Sequence, residues 1–167
     1  MAAKQGSVMI RINEALLDRL TLQARTSPRL RMTHNFHSGP ADTLQRMLNA
    51  MEPGTYVRPH KHENPDKREA FFALRGKLCV VEFDDSGEIA DYTVLDSANQ
   101  NYGAEIPQRT WHTIISLETG SVAYEVKDGP YDPENDKNFA TWAPEENSPE
   151  AKEYLSRLIA KLTLSIH

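Results

Sequence analysis

From Thr43 to Lys127 the sequence runs as short apolar-rich segments that turn signals keep interrupting, and this constrains the fold more than any other feature. "TLQRMLNAM" ends at Pro53-Gly54, "TYVRPHKH" at "ENPD", and "KLCVVEFDDSG" at Asp85-Ser86-Gly87. "EAFFALRG", "EIADYTVL", "AEIPQRTWHTIISLETG" and "SVAYEVKDG" complete a set of about seven short strands at hairpin spacing. Short strands joined by tight turns bury an apolar face by folding two sheets together, so the expected class is mainly β, a sandwich or jelly roll.

Helices flank this region. "SVMIRI" alternates and predicts a short strand, and Asn13 offers an N-cap for "EALLDRLTLQAR". In that segment Leu16, Leu17, Leu20 and Ala24 recur at helical spacing. "TSP" stops the helix, because the residue before Pro28 is pushed out of the helical region. "RLRMTHNFHSGPAD" reads as loops or a sheet edge, and "PYDPENDKNFATWAPEEN" has no period. Ser148 as N-cap, Pro149 at the first helical position and Glu150 in the first turn predict a C-terminal helix. Its stripe of Leu155, Leu158, Ile159 and Leu162 is expected to pack on the barrel or on a second subunit, with His167 beyond it. The expected organisation is one structural domain: residues 1–42 as strand, helix and loop, 43–128 as barrel, and 129–167 as arm and helix.

A chain of 167 residues, 39% hydrophobic and 26% charged, suits one globular domain. The net charge of -5 argues against a nucleic-acid partner but allows a local basic pocket for an anionic ligand. The single cysteine, Cys79, cannot form an intrachain disulfide and reads as a small buried hydrophobe in "LCVVEF". No apolar run approaches the roughly 20 residues that span a bilayer. The N-terminus has no signal-peptide pattern. The expectation is a cytoplasmic protein without a membrane partner.

Six histidines are present, and two of them, His60 and His62, sit two residues apart in a segment that reads as a strand. Residues two apart face the same side of a strand, so the two imidazoles converge, as ligands of a transition metal would. Two solvated strand histidines are the plain alternative. A further ligand must come from a neighbouring strand. Glu69 opens the next segment after the turn, whereas Glu63 adjoins His62 and points to the opposite face. His112 lies at a strand start in "AEIPQRTWHTIIS", flanked by Trp111 and Ile114, where a hydrogen-bonded core histidine is the alternative.

These spacings resemble the two motifs of the cupin superfamily. The first, G-x5-H-x-H-x3 or 4-E-x6-G, is matched by Gly54, His60, His62, Glu69 and Gly76, with six residues between His62 and Glu69. The second, G-x5-P-x-G-x2-H-x3-N, is matched by Gly103, Pro107 and His112. There the Gly-to-Pro gap is shorter, Arg109 replaces the glycine and Ser116 replaces the asparagine. The resemblance implies a cupin jelly-roll β-barrel with an N-terminal and a C-terminal helix. It also implies one divalent metal ion (Zn, Ni, Mn or Fe) on His60, His62, Glu69 and His112, and commonly a homodimer. "QRMLNAMEPGTYVRPHKH", "HNFH" and "DKNFATWAPEE" are similar to the small WbuC-type cupin metalloproteins, from about Arg31 to Glu146. That similarity implies a link to O-antigen or other surface polysaccharide, without a single reaction.

Tyr56 and Arg58 share the face of His60 and His62 if the strand is regular, which makes both pocket and catalytic candidates. Arg58 either binds a carboxylate or phosphate of the ligand or reaches solvent at the rim. A water-accessible cavity lined by Tyr56, Arg58 and Trp111 is expected. His37 is a further catalytic candidate. With His34 and Asn35 it either lines the pocket, bridges to a dimer partner or lies in a solvated loop. In the tail, Tyr131, Lys137 and Trp142 either form a flap over the ligand or a structural arm, and burial is favoured for Trp142. The expected function is a metal-dependent enzyme acting on a sugar or polysaccharide precursor, of isomerase, epimerase or lyase type. The alternatives are an Fe(II)-dependent oxygenase and a non-catalytic metal-dependent sugar-binding or sensor module. In each case the partner is a small molecule, a sugar or an anionic compound.

Overall fold

The computed structural model describes residues 9–166. Its strands are β1 (Arg31–Asn35), β2 (Leu44–Met51), β3 (His60–Lys61), β4 (Glu69–Arg75), β5 (Leu78–Phe83), β6 (Ile89–Leu95), β7 (Gly103–Ile106), β8 (Trp111–Ser116), β9 (Ser121–Asp128) and β10 (Asn138–Phe139). Two α-helices flank them, α1 (Glu14–Thr26) and α2 (Glu150–Lys161). The strands form two antiparallel five-stranded sheets, ordered β1-β2-β9-β4-β7 and β10-β3-β8-β5-β6. They face each other as a jelly roll. Among the described residues no helix is long and apolar enough to cross a membrane.

Residues 9–12 form no strand, and positions 7–8 of "SVMIRI", like His167, lie outside the described residues. "RLRMTHNFHSGPAD" contains the edge strand β1. "TYVRPHKH" is not one strand, since only His60–Lys61 pair and residues 55–59 are irregular up to Pro59.

The helices cover the outer faces. The Asn13 side chain accepts from the Leu16 amide and caps α1, as the sequence predicts. Leu16, Leu17, Leu20 and Ala24 pack on Leu48, Ala50 and Val122 of the first sheet. On the second sheet Ala151, Leu155 and Leu158 of α2 pack on Cys79, Val81, Phe83 and Ile115. The apolar stripe of α2 thus lies on the barrel. Its predicted cap is corrected: Ser148 Oγ has no partner among the described residues, and Pro149, already in helical conformation, precedes the first turn. Packing, not capping, holds this helix. Cys79 is fully buried there, and burial pushes its thiol up to about 12, so it is inert packing.

The glycines that bound the first motif have backbone reasons. Gly54 and Gly76 have φ of 91° and 70°, and a Cβ on Gly76 would meet Ser121 Oγ at 2.3 Å. Arg109, in place of a motif glycine, keeps a left-handed φ of 63°. Its guanidinium grips Asp66 at 2.9 Å from Nε to both carboxylate oxygens, which offsets the strain.

The interior is graded. At one end Met51, Phe71, Ala73, Leu78, Val80 and Ile114 make an apolar plug. Toward the other end the same strands turn polar: Asn49 on β2, Glu69 on β4, His112 on β8, and Glu125 and Lys127 on β9. A polar cavity therefore stands on an apolar floor.

Candidate metal centre

β3 pairs with β8 so that His60 lies opposite His112, with ring centroids 4.5 Å apart. His62, just past β3, sits 5.2 Å from His60 and 5.7 Å from His112. Glu69 opens β4 between Ile106 and Lys127 of the neighbouring strands. All four residues are buried, and each offers a ligand atom within 4.8 Å of the others. Atoms bound to one ion at ordinary Zn–N and Zn–O lengths lie within about 4.4 Å of one another. A small contraction is enough.

Backbone carbonyls set the imidazole tautomers. His60 Nδ1 is 2.9 Å from the Arg58 carbonyl, His112 Nδ1 is 2.8 Å from that of Thr110, and His62 Nδ1 meets that of Asp136. A carbonyl only accepts, so each Nδ1 carries the proton and each Nε2 presents a lone pair. His62 Nε2, His112 Nε2 and Glu69 Oε1 are buried without a hydrogen-bond partner among the described residues. Yet Glu69 Oε1 lies 3.3 Å from His62 Nε2 and closer still to His112 Nε2. Acceptors brought together without a donor are unfavourable unless a cation lies among them. Three imidazole nitrogens and one carboxylate oxygen fit a divalent transition metal ion.

The charge states agree. Burial, with Lys137 and His112 adding, pushes the His60 imidazole well below its usual value, so it is neutral near pH 7. Burial pushes the Glu69 carboxyl up, and only positive charge or donated hydrogen bonds at His112 and His62 would hold it low. With both Nε2 atoms presenting lone pairs, a bound cation is what would keep Glu69 a carboxylate.

His60, Glu69 and His112 line a cavity of about 650 Å³, and His62 lies behind them. The arm after β9 forms part of its wall. β10 pairs with His60 and Lys61, and Ala140 N–H donates to the Pro59 carbonyl at 2.9 Å. Asp136 is fastened by Lys67 at 2.7 Å and Lys127 at 2.6 Å, all three buried. Lys67 also donates to the Pro130 carbonyl at 2.5 Å. It belongs to the turn that makes the first motif longer than the cupin pattern, so the added length supplies the anchor of the arm.

The structure corrects the expected cavity wall. Between Val57 and His60 the period of two fails, and Val57, not Tyr56 or Arg58, faces the cavity. The Tyr56 hydroxyl donates to the Pro144 carbonyl at 2.9 Å, on the side packed under α2. Arg58 neither reaches the cavity nor points to bulk solvent at the rim. It donates to the Ala140 carbonyl at 2.9 Å and covers the Phe139 ring, clamping the arm. Trp111 alternates with His112 and so faces outward, its indole N–H donating to Asp85 at 2.9 Å. His37 and Asn35 line the cavity, whereas His34 packs edge-on against Phe36. Tyr131 and Lys137 line it too, and Trp142 is packed against Phe83 outside it. Glu63 pairs with Lys61 at 2.5 Å, away from the ligand set.

Sequence reasoning missed Glu125, Lys127 and Asn49. In "VAYEVKD" the charged residues alternate with apolar ones, and such a face ordinarily meets water. Here Val122 and Tyr124 pack toward α1 and the charged face turns inward. Burial, with Glu69 adding, pushes the Glu125 carboxyl up, and Asn49 Nδ2 donates to it at 2.5 Å.

The chain belongs to the family described as Domain of unknown function (DUF6016), whose model matches residues 12–95. No curated protein matches it in sequence. Among solved structures it is similar to the capsular polysaccharide assembling protein CapF from Staphylococcus aureus, at 22% identity and a TM-score of 0.56. That match covers 68% of this chain and 32% of the other, so the chain spans under a third of CapF. It is also similar to Cellulomonas parahominis L-ribose isomerase with L-ribose, at 15% identity and a TM-score of 0.52, over 73% of this chain and 72% of that one. These likenesses show the fold, the jelly roll of the cupins.

Proposed function

We propose that this member of a family of unknown function is a metal-dependent enzyme acting on a sugar or polysaccharide precursor, as an isomerase, epimerase or lyase. The observation that carries the reading is the convergence of three lone-pair-bearing Nε2 atoms and the Glu69 carboxylate at the wall of a polar cavity. His60, His62, Glu69 and His112 would hold one divalent ion, Zn, Ni, Mn or Fe. When bound, the ion supplies a Lewis acid that polarises a carbonyl of the substrate.

The chain's own side chains do the rest. Thr33 Oγ1 donates to Asn49 Oδ1 at 2.9 Å and Asn49 to Glu125, a chain of groups suited to sugar hydroxyls. Glu125 takes the proton from the carbon beside the carbonyl onto a carboxylate oxygen. Protonation of the opposite face of that carbon by water or a second acid epimerises the sugar, and return of the proton from Glu125 to the neighbouring carbon isomerises it. Departure of a β-substituent with the electron pair makes the reaction a lyase. The similarity to WbuC-type cupins and to CapF supports a substrate from O-antigen or capsular assembly.

The test is elemental analysis of protein purified from its native host, then incubation of the loaded protein in D₂O with sugar nucleotides and monosaccharide derivatives. Deuterium entering beside the carbonyl is the expected result. Protein without stoichiometric metal, or turnover that consumes O₂, would overturn it, the latter in favour of an Fe(II) oxygenase.

A further inference from the structure

We infer that the cavity takes an anionic ligand and that Lys137 binds its anionic group, a carboxylate or phosphate carried on a polyhydroxylated chain. This rests on the metal-centre reading above and names the substrate class of that site.

The other cations of the cavity and its backing are matched. Arg29 and Arg31 share Glu146, at 2.6 and 2.7 Å. Lys67 and Lys127 share Asp136, at 2.7 and 2.6 Å. Lys137 forms no ion pair among the described residues, although it lines the same cavity. Its three ammonium donors are available to a ligand. It directly precedes Asn138, which pairs with Lys61, and this places it beside the metal-ligand segment. Burial and the neighbouring Lys127 push its ammonium down, while Glu125, Glu69 and Asp136 act the other way. The residue is exposed to water where it lines the cavity.

The local charge points the same way. Glu69, Glu125, Asp136 and Glu146 are four carboxylates, set against five cations, Arg29, Arg31, Lys67, Lys127 and Lys137. A divalent ion raises the excess to three positive charges, on a chain whose net charge is -5. Positive charge gathered in an enclosed site, against the overall sign, focuses the field on an entering anion. An ammonium with free donors supplies the charge-assisted hydrogen bonds that hold it.

Calorimetric titration of the metal-loaded protein with D-glucose, D-glucuronate and D-glucose 6-phosphate tests this on one ring skeleton. An anionic sugar should bind at least about tenfold tighter than glucose, in line with roughly one charge-assisted contact. Tighter glucuronate identifies the carboxylate, and tighter glucose 6-phosphate the phosphate. Lys137→Gln should abolish the margin and Lys137→Arg should keep most of it, with metal content unchanged in both. Glucose binding as tightly as the anionic sugars, or Lys137→Gln keeping the preference, would overturn the inference. If no sugar binds, inorganic phosphate decides: binding lost in Lys137→Gln supports the assignment, and no such binding refutes it. The phosphate titration on metal-free protein separates the two readings, since a protein without metal that still binds phosphate through Lys137 fails only the metal proposal.

Discussion

The backbone carbonyl of Asp136 accepts the Nδ1 proton of His62, 74 residues earlier in the chain. Its carboxylate meanwhile holds two buried lysines, Lys67 and Lys127. One residue of the arm therefore orients an imidazole and neutralises the barrel wall. Asp136→Asn is nearly isosteric but removes the carboxylate that two buried ammonium groups share, and a loss of about 3–5 kcal/mol in urea denaturation is expected. Burial pushes the Asp136 carboxyl up, but Lys127 and Lys67 outweigh it and hold it below its usual value. Its contribution is thus full above the unfolded-state value of about 3.9 and is lost as pH falls through the lower folded value. The Asn variant should lack this acid limb, and an unchanged pH profile would refute the role.

The ligand set is tested by metal content. The His62→Ala, His112→Ala double variant should lose most bound metal while circular dichroism stays native. Glu69→Gln should weaken binding by roughly 10- to 100-fold or more. Glu63→Gln should leave it unchanged, because Glu63 is paired with Lys61. The reverse ranking of the two glutamates would show that another carboxylate completes the site.

Glu125→Gln separates proton transfer from metal binding. It keeps the Asn49 contact and removes the base, so metal content should hold while deuterium wash-in falls by about 10²–10⁴-fold. Equal loss of metal would make Glu125 structural.

Gly76→Ala should cost about 2–4 kcal/mol, combining a left-handed backbone with a clash on Ser121. Gly39→Ala, where a Cβ meets nothing within 4 Å, is the matched control and should be near neutral.

The strands were legible because their apolar residues alternate and turns punctuate them, and the clustering of His60, His62, Glu69 and His112 because its spacing survives one lengthened turn. The Asn13 cap and the α2 stripe were legible for similar local reasons. Tyr56 and Arg58 were misplaced because a period of two was extended through residues 55–59, where the chain is irregular before Pro59. Glu125 and Lys127 were passed over because a charged alternate face ordinarily means solvent. What turns it inward is α1, packed on the other side of the same sheet, a tertiary relationship no local window contains. Lys67 looked like a turn residue, and only the fold brings Asp136 to it.

The arm has a consequence for timing. During synthesis the chain emerges N-terminus first, at roughly 5–20 residues per second. A nascent chain complete through His112 already holds His60, His62 and Glu69, but the carbonyl that orients His62 belongs to Asp136. Lys67 and Lys127 likewise await the carboxylate of that residue. Chains released at residue 128 are expected to hold metal less tightly than the full chain, measurable by competition with a chelating dye. Metal loading would then be a late step of biogenesis, because a chain ending between His112 and Asp136 has its four donors but lacks the carbonyl that orients His62.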